Sequence, residues 1–163
     1  MGMNKKKVPR LIWKFPISFR DIEKAGEVAN KIKKRFQNLG MKPEIVRRVS
    51  IICFEGEMNL VLFAEKGGLI RVEVFPDRID IFFEDEGPGI KDINLALTPG
   101  YSTAPEWAVE MGFGAGMGLY NIKKNSDFFE IFSEVDKKTM VHSRIFLTKC
   151  KDGSPRRSNL NES

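Results

Sequence analysis

The chain has 163 residues, the size of one ordinary domain, and at 42% hydrophobic with 30% charged residues it can fill a core. No apolar run reaches the roughly 20 residues of a membrane-spanning helix, and the first residues, Met1-Gly2-Met3-Asn4-Lys5-Lys6-Lys7, lack the apolar stretch of a secretory signal. The net charge of +5 raises nucleic acid as a partner, but acidic residues are interleaved and no aromatic stacking pattern accompanies the basic groups, so direct nucleic-acid binding and membrane binding are not expected.

Residues 1–7 read as a flexible N-terminus ahead of a single domain over 8–150. Residues 8–17 read as a strand, and Pro9 and Pro16 place it at a sheet edge, because proline cannot donate to a ladder. Ser18 and Asp21 have capping-box spacing, and the stripe Ile22, Ala25, Ala29, Ile32, Phe36 predicts a helix from there to about Leu39, stopped by Gly40. Pro43 suits the first turn of a second helix, which carries Ile45, Val49, Ile52 and Cys53 and ends before Gly67-Gly68. Cys53 and Cys150 have neither metal-ligand nor disulfide-framework spacing; Cys53 reads as a reduced, buried thiol, and the whole points to the cytoplasm. Residues 69–75 and 78–84 alternate as two strands about a Pro76-Asp77 turn. An irregular stretch follows over 87–115, long enough in a small domain to suggest function. A short helix over 116–125 and a hairpin of 127–135 with 139–148 complete the domain. The polar residues 151–163 read as a disordered tail. This order predicts an α+β two-layer sandwich, with helices packed on one face of a mostly antiparallel mixed sheet.

Three segments carry chemistry. Glu55 and Asn59 are four apart on the second helix and share a face, a carboxylate beside an amide oxygen that suits magnesium or a hydroxyl that must lose its proton. The bland alternative is an exposed polar pair. Glu57 lies about 200° away from each around the helix, so it should point elsewhere and its loss should be nearly silent in any transfer chemistry. Asp85-Glu86-Gly87-Pro88-Gly89 follows a strand; its glycines allow close backbone approach and its aspartate can accept from an exocyclic amine, though a plain strand-ending turn has the same composition. Gly112-Phe113-Gly114-Ala115-Gly116-Met117-Gly118-Leu119 leads into a helix, whose N-terminus favours phosphate; a flexible hinge is the alternative. The other nucleotide signatures do not fit. No glycine run precedes Lys-Ser or Lys-Thr, no cluster has dinucleotide-fingerprint spacing, and the one histidine, His142, sits in an alternating strand as a structural side chain.

Glu-x-x-x-Asn, then Asp-x-Gly-x-Gly, then a loop ending in Gly-x-Gly-Leu resembles, in order and spacing, the three boxes of the GHKL ATPases, over about residues 45–148. Tyr101-Ser102-Thr103-Ala104-Pro105-Glu106 is similar to the lid of the bacterial anti-sigma-factor kinases. Asp85 to Ile90 with Gly100-Tyr101-Ser102-Thr103 looks closest to the switch kinase of the stressosome pathway. The resemblance implies a Bergerat ATP-binding fold with ATP or ADP and Mg²⁺. It implies that Asn59 holds magnesium, that Asp85 binds the adenine amine with Thr139 assisting, and that Gly87, Gly89 and Ile90 shape the adenine pocket. Gly116 and Gly118 meet the phosphates beside Gly114, Met117 and Leu119, and Glu55 is the general base for a serine hydroxyl. The implied activity is ATP-dependent phosphorylation of a serine or threonine on a small antagonist protein in a partner-switching pathway. The alternative is a nucleotide-controlled module that grips a sigma factor or another regulator without transfer, and a detached histidine-kinase catalytic domain ranks third. Oligomeric state stays open, a homodimer included. Residues 100–118 contain no Lys or Arg, so magnesium or a basic residue from elsewhere must neutralise charge in any transfer.

Overall fold

A computed structural model describes residues 6–147. The chain runs through β1 (Leu11–Ile17), a 3₁₀ turn (Ile22–Lys24), α1 (Glu27–Asn38), α2 (Pro43–Phe63), β2 (Gly68–Val74) and β3 (Arg78–Asp85). It continues through α3 (Ile93–Ala96), α4 (Glu106–Glu110), α5 (Gly118–Asn125), β4 (Phe128–Glu134) and β5 (Lys138–Phe146). The strands form one sheet in the order β1-β2-β3-β5-β4. Every neighbouring pair is antiparallel, so the sheet is purely rather than mostly antiparallel. β1 is an edge strand, as expected from Pro16 within it and Pro9 just before it. The expected flexible end and disordered tail fall largely outside the described residues, though Lys7 is described and pairs with Asp77 at 2.5 Å. Among the described residues no helix is long and apolar enough to cross a membrane.

Alternation puts Ile70, Val72 and Val74 of β2, Ile79, Ile81 and Phe83 of β3, and Val141 and Ile145 of β5 into the core. They meet Val49, Ile52, Cys53 and Val61 of α2, Ile32 and Phe36 of α1, and Ile122 of α5. Each such side chain contributes about 1.5–3 kcal/mol by leaving water. Cys53 is fully buried and free, and burial, with Glu57 nearby, pushes its thiol far up. The seat of α2 on the sheet depends on Gly56. A Cβ there would fall 2.0 Å from the Phe83 ring, so glycine, costly in a helix interior by about 1 kcal/mol, lets α2 lie directly on β3. That contact sets the height of Glu55 and Asn59 above the sheet.

The first helix departs from expectation. No capping box forms: Asp21 makes no side-chain cap, Ile22 lies in the 3₁₀ turn, and Gly26 at φ 92° breaks the chain before α1 starts at Glu27. The cap comes from α2 instead. Glu57, 2% exposed, accepts from the N–H groups of Gly26 (3.0 Å) and Val28 (3.2 Å) through Oε1 and from Ala29 (2.8 Å) through Oε2. Glu57 turns away from Glu55 and Asn59, as the helical repeat requires, and there it is a buried anchor for the start of α1.

On the opposite sheet face Asp80 accepts from Arg144 Nε (2.6 Å) and Arg78 Nε (3.1 Å) and lies 3.0 Å from His142 Nε2, whose ring stacks on Phe82. Burial alone would raise the Asp80 carboxyl, but the bonds from His142 and Arg144 outweigh it and hold it at about 2. His142 is thus a structural side chain.

Candidate functional site

α2, the end of β3, the start of α5, the β4–β5 turn and the segment 90–118 surround a cleft of about 840 Å³. Its wall includes Glu55 and Asn59 from α2, Asp85, Gly89 and Ile90 from the end of β3 and the loop after it, and Thr139 from β5. Gly114, Gly116, Met117, Gly118 and Leu119 close the other side. Of the residues singled out in the sequence, Gly87 is the one outside this wall. It is buried, and its N–H donates to Asp85 Oδ1 at 2.9 Å, so it fixes the aspartate and does not itself face the cleft.

Asp85 ends β3 and lies directly across from Thr139 of β5 in the sheet register. Burial raises its carboxyl above the usual aspartate range, and the Gly87 N–H offsets part of that. Among the described residues no cation pairs with it, and Oδ2 has no protein partner and stays open to solvent at the cleft wall. A half-buried carboxylate left in that condition marks a place where a ligand donor is wanted. Thr139 Oγ1 is 2.8 Å from Ser133 Oγ, which accepts from the Ile90 N–H at 2.7 Å. Ser133, which no sequence motif marked, therefore ties the loop after β3 to the hairpin. That loop lies so close to β4 that a Cβ on Gly89 would fall 2.7 Å from the Glu134 carbonyl oxygen. Asp136 closes the turn at φ 61°, donating its N–H to the Pro88 carbonyl at 2.7 Å.

At the other end of the cleft Glu55 and Asn59 sit one turn apart on α2. Glu55 Oε1 accepts from Asn121 Nδ2 at 3.0 Å. Asn121 was missed in the sequence; its spacing of three from Gly118 on α5 is the signal that could have found it. A Cβ on Gly118 would lie 2.8 Å from Asn59 Oδ1, so the glycine lets the α5 terminus close onto α2. No side chain caps that terminus, whose first residues line the cleft.

The segment expected to be irregular contains two short helices, α3 and α4, too brief for a periodic pattern to reveal. Its limbs are joined by the Gly100 N–H donating to the Gly116 carbonyl at 3.0 Å. Gly116, at φ 75°, permits this approach, since a Cβ would fall 2.3 Å from the Tyr101 carbonyl oxygen. Among the described residues no three His, Cys, Asp or Glu side chains converge to form a metal cluster.

The chain is 30% identical over 127 residues to the serine/threonine-protein kinase RsbT of Bacillus subtilis (strain 168), covering 76% of this chain and 86% of that protein. It is 39% identical over 75 residues to the anti-sigma F factor of Oceanobacillus iheyensis, covering 46% of this chain and 48% of that protein. Among solved structures, a chain of the SiaB-SiaC complex from Pseudomonas aeruginosa shares the fold at a TM-score of 0.54 and 12% identity, covering 85% of this chain and 90% of that one. No protein-family profile matches the sequence.

Proposed function

The chain belongs to the GHKL anti-sigma-factor kinase group, the family of serine/threonine-protein kinase RsbT, and from that premise we propose that it is a cytoplasmic kinase that transfers phosphate from ATP to a serine or threonine of a small antagonist protein. The observation that carries this reading is the convergence in one cleft of Asp85 with an unpartnered oxygen, Asn59 against the α5 terminus, and Glu55 oriented by Asn121.

Each group has a chemical task. Asp85 accepts from the exocyclic amine of adenine, with Thr139 beside it, and Gly89 and Ile90 form the floor of that end. Backbone N–H groups of Gly116 and Gly118 at the start of α5 hold phosphate oxygens, with Gly114, Met117 and Leu119 alongside. Asn59, at the cleft wall, would contribute the protein's ligand to magnesium. Magnesium held there would supply the positive charge that residues 100–118 lack. Glu55 takes the proton from the acceptor hydroxyl as its oxygen bonds to the terminal phosphorus and the bond to the ADP oxygen breaks.

The absence of Lys and Arg from residues 100–118 favours one second reading, a module that binds nucleotide and grips a sigma factor or regulator without transfer. Incubation with γ-labelled ATP, magnesium and small proteins co-purified from the native cell separates the two. Label on a serine or threonine of the acceptor supports the kinase. ATP binding with no label on any acceptor supports the module.

A further inference from the structure

Residues 101–103 and 112–118 line the cleft; α4 lies between them in sequence but is not itself part of that lining, and no helix or strand among the described residues packs extensively against it. One side chain from far away in sequence reaches α4, whose Ala108 is fully buried. Arg20, between β1 and the 3₁₀ turn, places its guanidinium carbon 4.6 Å from the centroid of the Trp107 ring. That is within the roughly 6 Å over which a cation is held by an aromatic face.

The backbone beneath Arg20 is arranged to aim it. Its φ is 64°, in the left-handed region that glycine or asparagine adopts more readily. Its N–H donates to the Val61 carbonyl at 2.8 Å, near the end of α2, and its own carbonyl accepts from the Ile22 N–H at 2.8 Å. Both backbone groups are thus committed, and the turn stands on the helix that carries Glu55 and Asn59. On the other side Trp107 is rooted in α4. The Met111 N–H donates to the Trp107 carbonyl and the Phe113 N–H to the carbonyl of fully buried Ala108, so α4 leads without slack into Gly112 and Gly114. These backbone bonds fix the left-handed turn, and the side chain the turn carries meets an aromatic face.

We propose that Arg20 is a positioning residue: seated on Trp107, it latches α4 to the end of α2 and so holds residues 112–118 over the cleft. The latch rests on the nucleotide reading only for its purpose. The contact would govern how often the wall opens, whatever the cleft binds.

A double-mutant cycle tests it in the full chain, with Arg20→Gln, Trp107→Leu and the pair. Hydrogen exchange of residues 112–118 is measured without nucleotide, and ADP dissociation is measured in parallel. Each single variant should raise lid exchange and ADP release roughly two- to fivefold, the range for an exposed cation–aromatic pair. The double variant should go no further than either single, and Trp107→Phe, which keeps a ring, should restore most of the loss. Denaturant midpoints should barely move. Unchanged exchange in both singles, or effects that multiply in the double, would overturn the latch. If the unaltered chain fails to bind ADP, the nucleotide reading falls, and the exchange data alone still decide the latch.

Discussion

Replacing Glu57 with glutamine probes how α2 is built into the fold. The carboxylate is 2% exposed and accepts three N–H bonds at the start of α1, two on Oε1 and one, at 2.8 Å, on Oε2. Glutamine keeps one oxygen, which can serve Gly26 and Val28. Its amide nitrogen then faces the Ala29 N–H, donor against donor. Losing a charge-assisted bond of this kind costs about 1.5–3 kcal/mol. Removing a negative charge from a helix N-terminus adds about 0.3–1 kcal/mol, so the total is about 2–4 kcal/mol. That is a large share of the roughly 5–15 kcal/mol a domain possesses. Urea unfolding followed by far-UV circular dichroism reads it directly as a lowered midpoint with an unchanged slope. Glu57→Ala, which removes all three acceptor contacts, should fall further. ADP affinity of the folded variants should change little, because Glu57 faces α1 and not the cleft. A Glu57→Gln midpoint equal to wild type would refute the reasoning and with it the view that α2 anchors α1.

Other outcomes follow from the same geometry. Asp85→Asn should weaken ADP by about tenfold to a hundredfold, since it loses a charged acceptor worth roughly 1.5–3 kcal/mol; isothermal calorimetry with an unchanged constant would displace adenine from that end of the cleft. Gly116→Ala must place a Cβ 2.3 Å from the Tyr101 carbonyl oxygen at φ 75°, so the lid must shift. ADP affinity should drop by roughly tenfold or more while the fold is retained, given about 1–2 kcal/mol for the left-handed backbone alone; equal affinity would show that this approach is not needed. Asp80, held at about 2 against an ordinary 3.8, has a depressed folded pKa. Its contribution is therefore complete above about pH 4 and is lost as pH falls through 2, by about 2 kcal/mol. Asp80→Asn should remove that part of the acid dependence, which unfolding curves at pH 7, 4 and 2.5 would show.

The strands were legible because alternation is a local pattern. Ile70, Val72, Val74 and Ile79, Ile81, Phe83 needed no partner to be read. The start of α1 was not, because its cap, Glu57, stands 31 positions beyond Gly26 and a capping box was sought only nearby. α3 and α4 span too few residues for a period to register. In the site, the motifs named the groups that the fold gathers, since Glu55 and Asn59 share a face by helix geometry alone. The facing of Asp85 by Thr139 is a matter of sheet register: the family resemblance named the two residues together, but no local pattern shows it. Ser133, Asn121 and the Arg20–Trp107 contact were hidden for the same reason. Each depends on which segments become neighbours.

The kinase reading rests most directly on Glu55, which the structure places at the cleft wall with one oxygen held by Asn121. Single-turnover transfer of phosphate from ATP·Mg to the acceptor protein should be compared in the unaltered chain and in Glu55→Gln, with ADP affinity recorded for both. Glutamine keeps the size and the hydrogen-bonding capacity but cannot take the proton. Transfer should fall roughly 10²- to 10⁴-fold, the range for a positioned general base, while ADP affinity stays within a few fold. Transfer by Glu55→Gln at the rate of the unaltered chain would contradict the assigned role. An unaltered chain that binds ATP yet labels no acceptor would contradict the kinase itself.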